Sequence, residues 1–206
     1  NNQLSNLNLD GCQNLEILSC YNNQLKKLNL NSCIALREIQ CVYNQLRDLN
    51  VNNCSKLEEL ICFKNQIRFL DLNSCPKLVE LDCYSNQLTF ASLLISFSLP
   101  RGEFNCIPQD DIKIGNKGEV LINEVIDLSR EFDIGGAITE FTWYNSHGQI
   151  IKPATAVNGK FTFDQSFAGQ KVSCQMRNAK FPYWDLYTTE VLIKSTSGLA
   201  TIQTKP

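Results

Sequence analysis

The sequence predicts a mainly β protein of two domains: a solenoid of 21-residue coils, with strands on both faces, followed by a β-sandwich. Three observations predict it. Asn-Gln-Leu or Asn-Gln-Ile recurs at Asn2, Asn23, Asn44, Asn65 and Asn86, each step being 21 residues. Two sets of cysteines keep the same period, Cys20, Cys41, Cys62, Cys83 and Cys12, Cys33, Cys54, Cys75. Past Pro108 the period stops, and short apolar runs alternate with turn signals.

Each coil reads L-x-x-L-x-C-x-x-N-Q-L-x-x-L-x-L-x-x-C, as in "LREIQCVYNQLRDLNVNNCSK". One coil cannot bury its apolar face alone, so neighbours stack as a parallel ladder with a spacing of about 4.8 Å. Leu18, Ile39, Leu60 and Leu81 form one internal column, and Leu25, Leu46, Ile67 and Leu88 another. Leu28, Leu49, Leu70 and Leu30, Val51, Leu72 line the opposite wall, where the second L-x-L predicts a short extended segment. Asn23, Asn44, Asn65 and Asn86 turn the chain after each strand, and their amides can satisfy backbone groups of the adjacent coil. The pattern resembles the leucine-rich repeat over roughly residues 1 to 106, with Cys where the strand would end in Leu. That variant is associated with bacterial surface proteins, and many relatives place a helix on the convex side.

Eight of the ten cysteines fall in the repeat, at alternating spacings of 8 and 13. No C-x-x-C occurs and His147 is the only histidine. A zinc site needs converging ligands, whereas Cys20, Cys41, Cys62 and Cys83 are spread along a line. Stacked residues have parallel Cβ vectors, and a disulfide needs Cβ atoms about 3.8 Å apart. Small buried hydrophobes are expected, with no metal and no cofactor. "EFNC" at 103–106 aligns with "ELDC" at 80–83, so Phe104 and Cys106 read as a degenerate closing strand. A bridge from Cys106 to Cys174 is the alternative.

The solenoid is expected over 1–107, a sandwich over 108–195 and a polar tail over 196–206. Strand runs include "EVLINEVIDLS", "ITEFTWYN", "KFTFD" and "QKVSCQMRN", between turns such as "NSHG" and "VNG". Trp143 in "FTWYN" and Cys174 in "GQKVSC" resemble the central-strand Trp and the later Cys of immunoglobulin-like domains. The partner cysteine is missing, and Val172 stands where a corner Tyr would be, so the resemblance implies an immunoglobulin-like sandwich without its disulfide. Trp143, Phe161, Phe163 and Val172 are the expected core, and His147 a solvated hairpin residue. The tail resembles linkers that precede C-terminal sorting domains in secreted Bacteroidetes-type proteins.

The net charge of −2 and the lack of a basic block argue against nucleic acid. No apolar run reaches the 18 to 20 or so residues that span a membrane. The chain begins inside a repeat, which suggests a fragment or a processed form.

Strand alternation places three columns on the concave face. They are Ile17, Glu38, Glu59, Glu80; then Ser19, Gln40, Ile61, Asp82; then Tyr21, Val42, Phe63, Tyr84. Stacked carboxylates cost a few tenths to about 1 kcal/mol each, which a chain under selection only to fold would avoid. Carboxylates beside aromatic rings suit a basic or mixed protein surface, or a sugar. The alternative is a merely solvated strand face. Glu38 and Glu80 lie two rungs apart, a separation that glycosidases use, but an open face excludes no water, and no enzyme is expected. The candidate binding residues are Tyr21, Glu38, Gln40, Glu59, Ile61, Phe63, Glu80, Asp82 and Tyr84. The two-domain pairing resembles cell-surface adhesion proteins of Bacteroidetes. It implies an extracellular or outer-surface location and a host, microbial or matrix protein partner, with glycan binding or a stalk role as alternatives.

Overall fold

The computed structural model describes residues 2–95 and 103–195; the expected tail lies outside them. The chain divides into two compact units, Asn1–Asp111 with Lys180–Leu186, and Ile112–Ala179 with Tyr187–Pro206.

The first unit is a leucine-rich-repeat-like β-solenoid. Ile17–Ser19, Glu38–Gln40, Glu59–Ile61, Glu80–Asp82 and Glu103–Asn105 form one five-stranded parallel sheet in chain order. Register follows the repeat, with Leu18, Ile39, Leu60, Leu81 and Phe104 on one line. The strands are short because the coil must turn after Cys20, Cys41, Cys62 and Cys83. At each corner a residue takes positive φ: Asn22 at 54°, Tyr43 at 53°, Lys64 at 53° and Ser85 at 51°. Only the first is a residue that favours this region, so the corner is imposed by stacking rather than by local preference.

The asparagine column explains how. Asn65 Nδ2 donates to the carbonyls of Cys41 (3.0 Å), Cys62 (3.1 Å) and Phe63 (3.4 Å), and its Oδ1 accepts from the Leu46 amide (3.0 Å). Asn44 and Asn86 repeat this arrangement. Asn23 has only the first rungs, bonding the Cys20 and Tyr21 carbonyls and the Leu4 amide. In the last coil a glutamine takes the place of asparagine. Gln109 Nε2 donates to the Cys83 (2.9 Å) and Cys106 (2.6 Å) carbonyls, and its Oε1 accepts from the Leu88 amide (3.1 Å). It stands three residues after Cys106, as Asn86 does after Cys83.

Seven of the eight repeat cysteines are buried, and Cys12, in the first coil, departs from the expected burial. All ten are free thiols, and Cys20, Cys33, Cys41, Cys54, Cys62, Cys75 and Cys83 are buried, while Cys12 and Cys106 are partly exposed. Burial pushes the Cys20 and Cys54 thiols up to about 11 and Cys75 to about 12. Such thiols stay protonated at neutral pH and behave as apolar filler. Leu28, Leu49 and Leu70 are buried on the opposite wall with Leu30, Val51 and Leu72. The convex strand is less extensive than the L-x-L pattern predicts. Among the described residues, only Leu70–Asp71 and Leu93–Leu94 pair as strands there, in parallel. An Asx turn at Asn8, Asn29, Asn50 and Asp71 bends the chain at this point in every coil, the paired one included. Phe90, 1% exposed, stacks on Phe181 (5.4 Å) and meets Trp184 edge-on (5.4 Å), so Lys180–Leu186 completes this unit's core.

The second unit has two main sheets. One runs Ile150–Ile151, Glu140–Asn145, Lys171–Arg177, Val191–Lys194 and Glu119–Leu121. The pairings along this order are antiparallel except the last, which is parallel. The other runs Thr155–Val157, Lys160–Thr162 and Ile126–Asp127. Trp143 lies opposite Cys174 in the first sheet. Its ring meets Phe161 (5.2 Å) and Phe163 (5.0 Å) edge-to-face, joining the two sheets. Trp143, Phe161, Phe163 and Val172 are all buried. The "VNG" turn has positive φ at Asn158 (48°) and Gly159 (77°), the hairpin geometry that Asn-Gly favours. A Cβ on Gly159 would lie 2.9 Å from the Leu128 carbonyl, so no other residue fits. His147 is exposed in its turn.

Candidate functional site

Backbone register brings the predicted acidic column together and extends it. Glu38 lies opposite Glu59, Glu59 opposite Glu80, and Glu80 opposite Glu103. Glu103 was not among the residues singled out from sequence, although the "EFNC"/"ELDC" alignment places it in this register. The five strands read ILS, EIQ, ELI, ELD and EFN, so the sheet carries no Lys or Arg. Parallel in-register pairing of identical coils forces like charges onto adjacent rungs.

Compensation is uneven along the column. Gln40 Nε2 donates to Glu38 Oε1 (2.7 Å) and to Glu59 Oε1 (3.4 Å), bridging the first two carboxylates. The next rungs put Ile61, Asp82 and Asn105 in the same column, where the isoleucine can donate nothing and Asp82 adds charge. Asp82 Oδ1 is buried without a hydrogen-bond partner. Burial raises the Asp82 pKa, opposed by the Tyr84 backbone amide and reinforced by Glu80. Glu59 is also raised, first by burial and then by Glu38, with Glu80 adding a smaller push. At the strand entries, Glu16, Arg37, Glu38, Glu58, Glu59 and Glu80 line a depression of about 330 Å³. Arg37 is engaged there by Glu58 at 2.9 Å, an exposed pair of small energetic weight.

These shifts have a testable sign. A carboxyl raised in the fold weakens the fold when ionised and ceases to do so when protonated. Glu59→Gln is expected to stabilise the protein at neutral pH by a few tenths to about 1 kcal/mol. The gain shrinks as pH falls through the raised Glu59 pKa and is gone below its ordinary value of 4.5. Urea midpoints of both proteins at neutral and acidic pH measure this; a gain that persists in acid would mean the cost is not electrostatic.

Beside the acids runs an aromatic comb. Phe63 stacks on Tyr84 with centroids 4.5 Å apart and planes 10° apart. Tyr43 meets Phe63 edge-on at 5.7 Å, and Lys64 Nζ lies 5.6 Å from the Tyr43 ring centre. Tyr43 did not stand out in the sequence, because alternation assigns it to the turn. Its left-handed backbone swings the ring back toward the column. Tyr21 is 48% exposed, and Val42 interrupts the column between it and Phe63. The predicted third column is therefore a Tyr43–Phe63–Tyr84 group, with Tyr21 standing apart from it.

Chemically, this face offers carboxylates, one buried carboxylate oxygen and aromatic edges on a rigid sheet. Among the described residues, no group of three or more His, Cys, Asp or Glu could hold a metal ion. No helix of the described residues is long and apolar enough to cross a membrane.

No protein-family model matches the chain, and no curated protein matches it either. Among solved structures, it is similar to the functional domain of InlJ from Listeria monocytogenes, which includes a cysteine ladder. Identity is 14% and the TM-score 0.41, over 93% of this chain and 56% of that one, so the chain spans little more than half the length of that protein.

Proposed function

We propose that the protein is a non-catalytic binding protein of the cell surface or secreted space, recognising a protein partner through the concave face of its solenoid in an adhesion-type role. The observation that carries this reading is the four-glutamate register, Glu38, Glu59, Glu80 and Glu103, on a sheet without a single Lys or Arg. A partner supplying cations would relieve a repulsion that the fold itself leaves standing. The aromatic edges beside it supply the apolar area that recognition surfaces concentrate. The second unit is read as an immunoglobulin-like spacer or second contact, supported by the Trp143–Cys174 pair across adjacent strands and the two sheets meeting on Trp143. The extracellular location and a Bacteroidetes-type origin rest on the sequence resemblance alone.

The test compares the native chain with the Glu38→Gln, Glu59→Gln, Glu80→Gln triple variant against a panel of immobilised cationic proteins at low and high salt. Native binding is expected to weaken with salt, and the variant to bind at least about tenfold more weakly at low salt. Equal binding by both proteins across the panel would remove the concave-face reading. A glycan-binding face remains the second reading. It is supported by the rings, although Phe63 and Tyr84 each spend one face on the other.

A further inference from the structure

The fifth rung of the cysteine column differs from the other four. Cys20, Cys41, Cys62 and Cys83 are buried, whereas Cys106 is partly exposed. Cys106 lines an apolar cavity of about 320 Å³, together with Leu93, Phe104, Ile107 and Trp184. A small oxidant can therefore meet this thiol and no other in the column. The residue facing it across the ladder is Cys83, one position beyond the Asp82–Asn105 pair, with the Cys83 amide donating to the Asn105 carbonyl at 2.9 Å. The Gln109 amide grips both cysteine residues by their carbonyls, at 2.9 and 2.6 Å.

We propose that Cys106 is a peroxide-reactive thiol that forms a disulfide with Cys83, covalently locking the last coil of the solenoid. Peroxide oxidises the Cys106 thiol to a sulfenic acid and releases one water. The Cys83 sulfur then attacks the sulfenic sulfur, the S–O bond breaks, and the hydroxyl leaves with the Cys83 proton as a second water. Two thiols and one hydrogen peroxide thus give one disulfide and two waters. Hydrogen bonding to Cys106, together with burial, holds the Cys83 thiol well above its ordinary pKa. Its burial shields Cys83 from peroxide, so Cys106 is the first target and Cys83, the next thiol in the ladder, resolves it.

Geometry restricts the bridge to this end. Rungs stand about 4.8 Å apart, and a disulfide needs Cβ atoms about 1 Å closer. Inner coils are clamped from both sides and cannot close that gap. The strand Glu103–Asn105 is exposed at every residue and, among the described residues, pairs with one neighbouring strand. Its coil is also longer, with 23 residues from Cys83 to Cys106 against 21 elsewhere. Of the two edge rungs of this sheet, the last combines a partly exposed cysteine with a longer coil, and so can yield the distance required.

The folded, reduced chain is treated with excess hydrogen peroxide, its remaining thiols are alkylated, and its peptides are mapped by mass spectrometry. The expected product is a Cys83–Cys106 linked pair, lighter than the two peptides by two hydrogens, with the other eight thiols alkylated. Oxygen added to Cys106 without a link, a bridge between any other pair, or ten alkylated thiols would overturn the proposal. In Cys106→Ser, with its fold checked by circular dichroism, Cys83 is expected to remain alkylatable after the same treatment. Its loss there would show that peroxide reaches Cys83 without Cys106, which also overturns the proposal.

Discussion

Asn65→Ala is expected to destabilise the solenoid by roughly 2–4 kcal/mol, one of the two largest effects expected of a single substitution. The side chain is 7% exposed and joins two coils through four hydrogen bonds. Alanine orphans the buried Leu46 amide, while the Cys41 and Cys62 carbonyls lose one donor each and keep Asn44 and Asn86. Each orphaned group costs about 1–3 kcal/mol. Volume is a minor part, so an isosteric replacement is the sharper probe. Asn65→Asp keeps the acceptor for Leu46 but sets a carboxylate against three carbonyl oxygens, and is expected to be no better than alanine at neutral pH. Urea unfolding followed by circular dichroism measures both. A loss below about 1 kcal/mol for either would mean that water replaces the amide and that the ladder is not what holds the coils.

The second large effect is expected at Trp143. Trp143→Ala should cost about 3–5 kcal/mol, because the ring bridges the two sheets of the second unit through Phe161 and Phe163. Trp143→Phe should cost much less than the lost area suggests. The indole Nε1 is buried without a hydrogen-bond partner, so phenylalanine removes an unsatisfied donor along with the extra ring. Denaturant midpoints of the two variants separate packing from polarity. Equal losses for Phe and Ala would mean that a phenyl ring recovers none of the packing and that the indole nitrogen carries no penalty.

Much of the first unit was legible in the sequence, because a solenoid is nearly one-dimensional. Each coil touches mainly its neighbours, so a 21-residue period dictates register, and register dictates which side chains share a column. That is why Leu18, Ile39, Leu60 and Leu81 fall in line, why the buried cysteines act as filler, and why the Glu38–Glu59–Glu80 stack is legible in the sequence. The asparagines were identified as turn residues for a similar reason, since a buried backbone corner needs a group that both donates and accepts.

What escaped the sequence lies where repetition ends or backbone conformation departs from alternation. Gln109 stands in for asparagine in a coil whose spacing has slipped to 23 residues, so its role depends on the fold that places it under Cys83. Tyr43 enters the aromatic group only because its corner is left-handed. Lys180–Leu186 carries no trace of the repeat, yet it packs Phe181 and Trp184 against Phe90, a pairing set by tertiary contact across some ninety positions of chain. The uncompensated oxygen of Asp82 likewise has no signature in sequence, since its burial depends on every neighbour at once. By itself, the sequence determined the period, the register and the identity of the columns, which follow from local pattern and stacking. Only the tertiary structure decided how the solenoid ends, which rings meet and which polar atoms lack partners, because those depend on residues brought together from far apart in the chain.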